Sequence, residues 1–311
     1  MPAPALGVTA RGRPGGRQGL GGQRRGDNSR AVSVEHYENF PVASLLCPPA
    51  LRPAVKALYH FARTADDLAD EGEASPGVRR SDLQRYRQEL IRVHGGLPPA
   101  EDRWRGVFTA LATAIDRHGL PAQPLLDLLD AFEQDAGNPV YPDRAALLDY
   151  CRRSANPVGR LLLHLYGVDD ARSLAQSDAI CTALQLINFW QDFSRDHPKG
   201  RCYIPLEDAR RHGLDEQRLC SLTDTPATQA LTAELVAWAR GLMIQGQPLA
   251  LRLDGRIGWE LRLVVQGGLR ILEKIEAMQF RTLAARPRLH AWDVPVLLGR
   301  AALMRAAGDA P

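Results

Sequence analysis

Two segments of the chain set polar side chains at helical spacing in a pattern that suits a charged ligand. In the first, Tyr59-His-Phe-Ala-Arg63-Thr-Ala-Asp66-Asp67-Leu-Ala-Asp70, the residues Tyr59, Arg63, Asp66 and Asp70 stack on one helical face. In the second, Gln185-Leu-Ile-Asn188-Phe-Trp-Gln-Asp192-Phe-Ser-Arg-Asp196, the residues Gln185, Asn188, Asp192 and Asp196 do the same. Each row takes the place of an apolar core stripe, where carboxylates are costly unless a cation neutralises them. Asp66 and Asp70 lie one helical turn apart, as do Asp192 and Asp196, so two such helices face to face make an oxygen-rich cage. Mg²⁺ takes such ligands and completes its shell with water and substrate phosphates. Arg63 and Tyr59 can hold phosphate oxygens directly, Gln185 and Asn188 can hydrogen-bond ligand or water, and Lys199 and Arg201 can clamp the outer phosphate. The spacing predicts a diphosphate held through Mg²⁺ between two acidic helices.

A lone Asp-x-x-x-Asp arises by chance about once or twice in a chain of this length, and an acidic helix end is ordinarily a solvated face. The neighbours separate these two rows from that background. Leu58, Ala62, Ala65 and Ala69 flank the first, and Leu184, Ile187 and Phe189 flank the second.

The elements that must position the rows are helical. Apolar periodicity predicts helices over 34–46, 51–71, 78–93, 103–118, 122–135, 143–166, 173–195, 228–251, 257–283 and 293–306, joined by short Pro- and Gly-bearing connectors. Period-2 alternation is nearly absent, so the fold class is all-α. Pro198 disfavours helix at the residue before it, so the second row should end near Asp196–His197, at the mouth of a cavity. Residues 1–30, rich in Gly and Arg, read as a disordered tail, and 31–311 as one all-α domain.

Composition excludes several classes. A formal net charge of +3 makes no case for nucleic acid as a partner. The positive charge is nearly all Arg, which suits phosphate oxygens but also fits a coding bias. The five cysteines, Cys47, Cys151, Cys181, Cys202 and Cys220, have neither zinc-site nor disulfide spacing and suit a reduced, cytoplasmic protein. No apolar run approaches the ~18–20 residues that cross a bilayer, which leaves peripheral contact at the inner face of a membrane open. No GxGxxG motif opens a helix after a strand, so nothing marks a Rossmann nucleotide site.

Over about 33–290 these residues resemble the head-to-head isoprenoid synthases, the squalene/phytoene synthase family. Its first aspartate motif matches Asp66-Asp67-x-x-Asp70 with Tyr59 and Arg63 before it. Its second matches Asp192-x-x-x-Asp196, with Gln185 and Asn188 upstream and Arg201-x-Tyr203 downstream. Tyr150-Cys-Arg-Arg-Ser-Ala-Asn156-Pro-Val-Gly159 is similar to the family's Tyr-plus-Val-Ala-Gly segment, and His36-Tyr-Glu-Asn-Phe40 to its amino-terminal phosphate-contacting segment. Three departures stand out. Gln191 replaces the Arg usual before the second motif, Asn156-Pro157 replaces the family's usual Gly, and a phosphate-binding tyrosine near Gly267-Gly268 is missing. These variants are similar to the hopanoid-pathway HpnC branch, which makes hydroxysqualene.

The resemblance implies an isoprenoid-synthase-type helical bundle around a central cavity, with Asp66, Asp70, Asp192 and Asp196 holding Mg²⁺. Tyr59, Arg63, Gln185, Asn188, Lys199, Arg201, Tyr203, His36 and Phe40 would bind the diphosphate. Tyr150, Asn156 and Gln191 would place a water, and Phe40, Phe132, Phe189, Trp190 and Tyr166 are candidate aromatic walls. The implied substrate is presqualene diphosphate, ionised and quenched by water on the route to squalene and hopanoids. The alternatives are a presqualene diphosphate, squalene or phytoene synthase condensing prenyl diphosphates such as farnesyl diphosphate, or a non-catalytic helical partner of another enzyme of the pathway.

Overall fold

The computed structural model describes residues 47–70, 72, 74–215 and 223–304, and no strand occurs among them. The helix expected over 34–46, the tail 1–30, and His36 and Phe40 lie outside the described residues. Thirteen α-helices follow one another among the described residues: α1 (Arg52–Asp70), α2 (Pro76–His94), α3 (Arg105–His118), α4 (Ala122–Asp135), α5 (Arg144–Ser154), α6 (Asn156–Leu165), α7 (Ala171–Gln191), α8 (Phe193–Asp196), α9 (Leu206–Arg211), α10 (Pro226–Gly246), α11 (Pro248–Arg252), α12 (Gly255–Ala277) and α13 (Asp293–Leu303).

Several expected helices break, each for a local reason. The helix expected over 143–166 is two, α5 and α6, because Pro157 supplies no N–H and starts a new helix behind Ala155. The helix expected over 228–251 breaks the same way at Gln247, ahead of Pro248. The helix expected over 257–283 ends at Ala277, and Gln279 and Phe280 then take positive φ of 54° and 59°, turning the chain away. The helix expected over 173–195 kinks at Asp192 (φ −101°, ψ 12°). Its hydrogen bonding runs on, from Asp192 N–H to Asn188 O at 2.9 Å and from Asp196 N–H to Asp192 O at 2.9 Å. The second acidic row therefore keeps its face across the kink.

Helix α1 also corrects the reading of the first row. Its buried stripe is Ala54, Leu58, Phe61, Ala65 and Ala69, packed with α2, α3 and α4. At ~100° per residue, Tyr59, Arg63, Asp66 and Asp70 lie about a third of a turn round from that stripe. The acids do not replace the core; they flank it.

Helix α7 is buried on nearly every side and packs against α5, α6, α10 and α12. Such a central helix needs close neighbours, and two glycines provide them. A Cβ on Gly159 of α6 would meet Cys181 Sγ at 2.6 Å, and one on Gly246 of α10 would meet Gln176 O at 2.6 Å. One packed core gathers around α1–α4 and another around α7, α10 and α12, with a cavity lined from both.

Candidate active site

The cavity has a volume of about 400 Å³. Helix α1 gives it Tyr59, Ala62, Arg63, Asp66 and Asp70; α7 and its kinked extension α8 give Gln185, Asn188, Asp192 and Asp196. The two rows line one space, with Tyr150 from α5 and Arg201 and Tyr203 from the loop after α8. Apolar lining comes from Phe132, Val158, Leu184 and Phe189. Tyr203 stacks flat on Phe189, ring centroids 3.8 Å apart, so one aromatic slab forms part of the wall.

Five carboxylates (Asp66, Asp70, Asp135, Asp192, Asp196) and three guanidinium groups (Arg63, Arg201, Arg286) line this cavity. Each arginine sits on an aspartate. Arg63 donates to Asp66 at 2.9 Å and pairs with Asp67 at 2.6 Å, Arg201 pairs with Asp70, and Arg286 pairs with Asp192. The lining still holds two more carboxylates than guanidinium groups. Burial, and then the neighbouring Asp192, push the Asp196 carboxyl up to about 6.

Burial pushes Asp135 higher still, to about 7, against the Tyr150 hydrogen bond that lowers it. Tyr150 Oη donates to Asp135 Oδ2 at 2.7 Å, while Asp135 Oδ1 is buried with no hydrogen-bond partner. The Ser154 hydroxyl on the same wall is likewise buried and unpartnered.

Not every expected residue reaches the cavity. Asn156 is buried and accepts from Thr182 Oγ1 at 2.9 Å. Gln191 is fully buried, and its Nε2 donates to Pro287 O at 2.8 Å. Lys199 is exposed on the 3-10 turn His197–Lys199, where its charge lowers the Asp196 carboxyl without lining the cavity. Among the expected walls Phe132 and Phe189 line the space, whereas Trp190 is sealed in the core and Tyr166 bonds to Cys47.

Two charged lining residues escape sequence reasoning. Asp135 follows Phe132 by three residues on α4, a carboxylate at helical spacing from an apolar residue, which is a readable signal. Arg286 comes from an irregular segment after α12, and no periodicity could place it.

No group of three or more His, Cys, Asp and Glu side chains among the described residues stands close enough to hold a metal as arranged; arginines lie on three of the acids. The chemistry of the donor set still fits a hard divalent cation, since the two rows offer carboxylate oxygens, carry excess negative charge, and hold Asp196 above its ordinary range. No helix among the described residues is long and apolar enough to cross a membrane.

Comparison with known proteins gives a consistent picture. The squalene/phytoene synthase family model matches residues 34–293. A hydroxysqualene synthase of Sinorhizobium fredii is 32% identical over 275 residues, covering 88% of this chain and 90% of that protein. A presqualene diphosphate synthase of Zymomonas mobilis is 31% identical over 193 residues, 62% of this chain and 64% of that one. The crystal structure of a squalene synthase HpnC from Alicyclobacillus acidocaldarius superposes with a TM-score of 0.72 at 36% identity, covering 79% of this chain and 91% of that chain.

Proposed function

The chain belongs to the squalene/phytoene synthase family, enzymes of prenyl diphosphate chemistry, and from that premise we propose that it converts presqualene diphosphate and water to hydroxysqualene and diphosphate. The observation that carries this reading is the pair of acidic rows lining one cavity with three arginines, beside an apolar and aromatic wall. Asp66, Asp70, Asp192 and Asp196 would hold Mg²⁺, which supplies positive charge to the departing diphosphate. Arg63, Arg201 and Arg286 trade their aspartates for phosphate oxygens, in charge-assisted hydrogen bonds that strengthen as charge builds on the leaving group. Tyr59, Gln185 and Asn188 line the same cavity and would donate to the ligand.

The C–O bond breaks with its electron pair leaving on diphosphate. The hydrocarbon cation rearranges against Phe132, Val158, Leu184 and the Phe189–Tyr203 slab, whose ring faces stabilise positive charge. Water adds to the cation and its proton passes to Asp135 Oδ1, the oxygen left over while Tyr150 holds Oδ2. A carboxyl near 7 is poised to take that proton at neutral pH. Nothing in this sequence of steps requires a reductant.

The test is product analysis with purified protein. Presqualene diphosphate with Mg²⁺ should give hydroxysqualene and diphosphate, and farnesyl diphosphate alone should give nothing. Presqualene diphosphate formed from farnesyl diphosphate would favour the activity named for the Zymomonas mobilis relative. No turnover of either would favour a non-catalytic partner.

A further inference from the structure

Gln191 is the last residue of α7, and the next residue, Asp192, lines the cavity. The segment between α12 and α13 crosses this helix end as a strap. Two successive residues of the helix end grip two successive residues of the strap: Gln191 Nε2 donates to Pro287 O at 2.8 Å, and Asp192 pairs with Arg286. Gln191 is 0% exposed, so water does not compete for its grip, and the Arg286 side chain is 10% exposed beside an Asp192 that is 24% exposed.

Proline sharpens the geometry. Pro287 has no N–H, leaving its carbonyl as the strap's one backbone hydrogen-bonding group at that position. It also disfavours helix at Arg286. The strap is pinned on both sides as well. Asp224 accepts from Ala284 N–H at 2.9 Å, and buried Asp293 binds Arg270 at 2.8 Å and Lys274 at 2.9 Å. Between those pins the Gln191 hydrogen bond is a direct hold on Pro287 at the helix end.

We infer that Gln191 is a positioning residue that holds the strap so that Arg286 reaches the diphosphate end of the cavity. Charge that an arginine at position 191 would bring from the helix itself is here delivered from the strap, and the amide of Gln191 aims it. This rests on the diphosphate reading above, and the experiment separates the two.

Inorganic pyrophosphate with Mg²⁺ is titrated calorimetrically into wild type, Gln191→Met, Arg286→Gln and the double variant. Methionine keeps the length and volume and removes the donor. Gln191→Met should weaken binding about tenfold, the cost of one lost buried hydrogen bond. In the Arg286→Gln background the same change should weaken it less than about twofold, because the residue acts only through Arg286. Hydrogen exchange at residues 283–290 should rise in Gln191→Met. Equal losses in both backgrounds, or no loss in either, would overturn the inference while leaving the site reading intact; a wild type that binds no Mg²⁺-pyrophosphate would overturn the site reading itself. If Gln191→Met does not fold, Gln191→Asn, which withdraws the same amide by one methylene, carries the same cycle with the same expected non-additivity.

Discussion

Replacing Asp135 by Asn should make the metal-free protein more stable and the enzyme far less active. In the folded chain the Asp135 carboxyl lies at about 7, against 3.8 for the free side chain. Between those values the folded state holds a proton that the unfolded state has released. Stability therefore falls as pH rises through that window, and is fully restored only below about 4. The shift of about three units corresponds to roughly 4 kcal/mol lost at pH 8. Asn cannot ionise, so it escapes this penalty while its Oδ1 still accepts from Tyr150 Oη. The weaker neutral hydrogen bond costs about 1 kcal/mol, leaving a gain of about 3 kcal/mol at pH 8. For a chain of this size that is a rise of very roughly 6 °C in Tm. At pH 5 roughly 2 kcal/mol of the penalty remains, because the unfolded carboxyl is still ionised there, so the gain should shrink to about 1 kcal/mol and vanish only below about pH 4. Thermal melts in chelator at pH 5, 6, 7 and 8 read the difference directly. An Asn variant no more stable than wild type at pH 8, or equally stabilised at both ends, would refute the assignment of a buried, costly ionisation to this residue. Hydroxysqualene formation by the same variant should fall by about 10²–10⁴, the range for loss of a general base; an unchanged rate would remove Asp135 from the water step.

Asp192→Asn and Asp66→Asn should each abolish most Mg²⁺-dependent release of diphosphate from presqualene diphosphate, a loss of at least ~10²-fold, measured as inorganic phosphate after pyrophosphatase; normal turnover by either would sink the metal-cage reading. Chelation with EDTA should stop turnover, and restored Mg²⁺ should return it, in the same product assay. Gly159→Ala should cost about 1–3 kcal/mol by overpacking the α6–α7 contact, seen as a lower urea midpoint. Ser177→Gly together with Cys181→Ala should recover part of that loss, and no recovery would place the strain elsewhere. Phe189→Ala removes one face of the slab with Tyr203 and should lower product yield more than pyrophosphate affinity, checked by calorimetry beside product analysis.

The rows were legible because carboxylates at helical spacing survive as a pattern whatever packs around them. Their orientation was not, since Ala62 and Ala65 flank the first row equally well whether the acids replace the core stripe or border it. Only the burial of Leu58, Phe61 and Ala69 against neighbouring helices resolves that choice. The breaks at Ala155 and Gln247 were written in Pro157 and Pro248, where a helix-starting proline looked like a tolerated interruption of long periodic runs. Gln191 was visible as an odd residue beside the second row, yet its partner stands 96 positions later on a segment without periodicity. Sequence spacing reports neighbours along one element, and a carbonyl from a distant irregular strap leaves no such trace. Arg286 was missed for the same reason.

The close approach of α6 to α7 limits how this fold can change its ligand. Val158 and Cys181 line the cavity, and Gly159, next to Val158 and packed against Cys181, has no side chain to trim. Selection for a bulkier hydrocarbon cannot gain room at that point by shortening a residue. It must work through apolar lining such as Phe132, Val158, Cys181, Leu184 and Phe189, so any family of descendants with altered product length should vary there and keep glycine at 159.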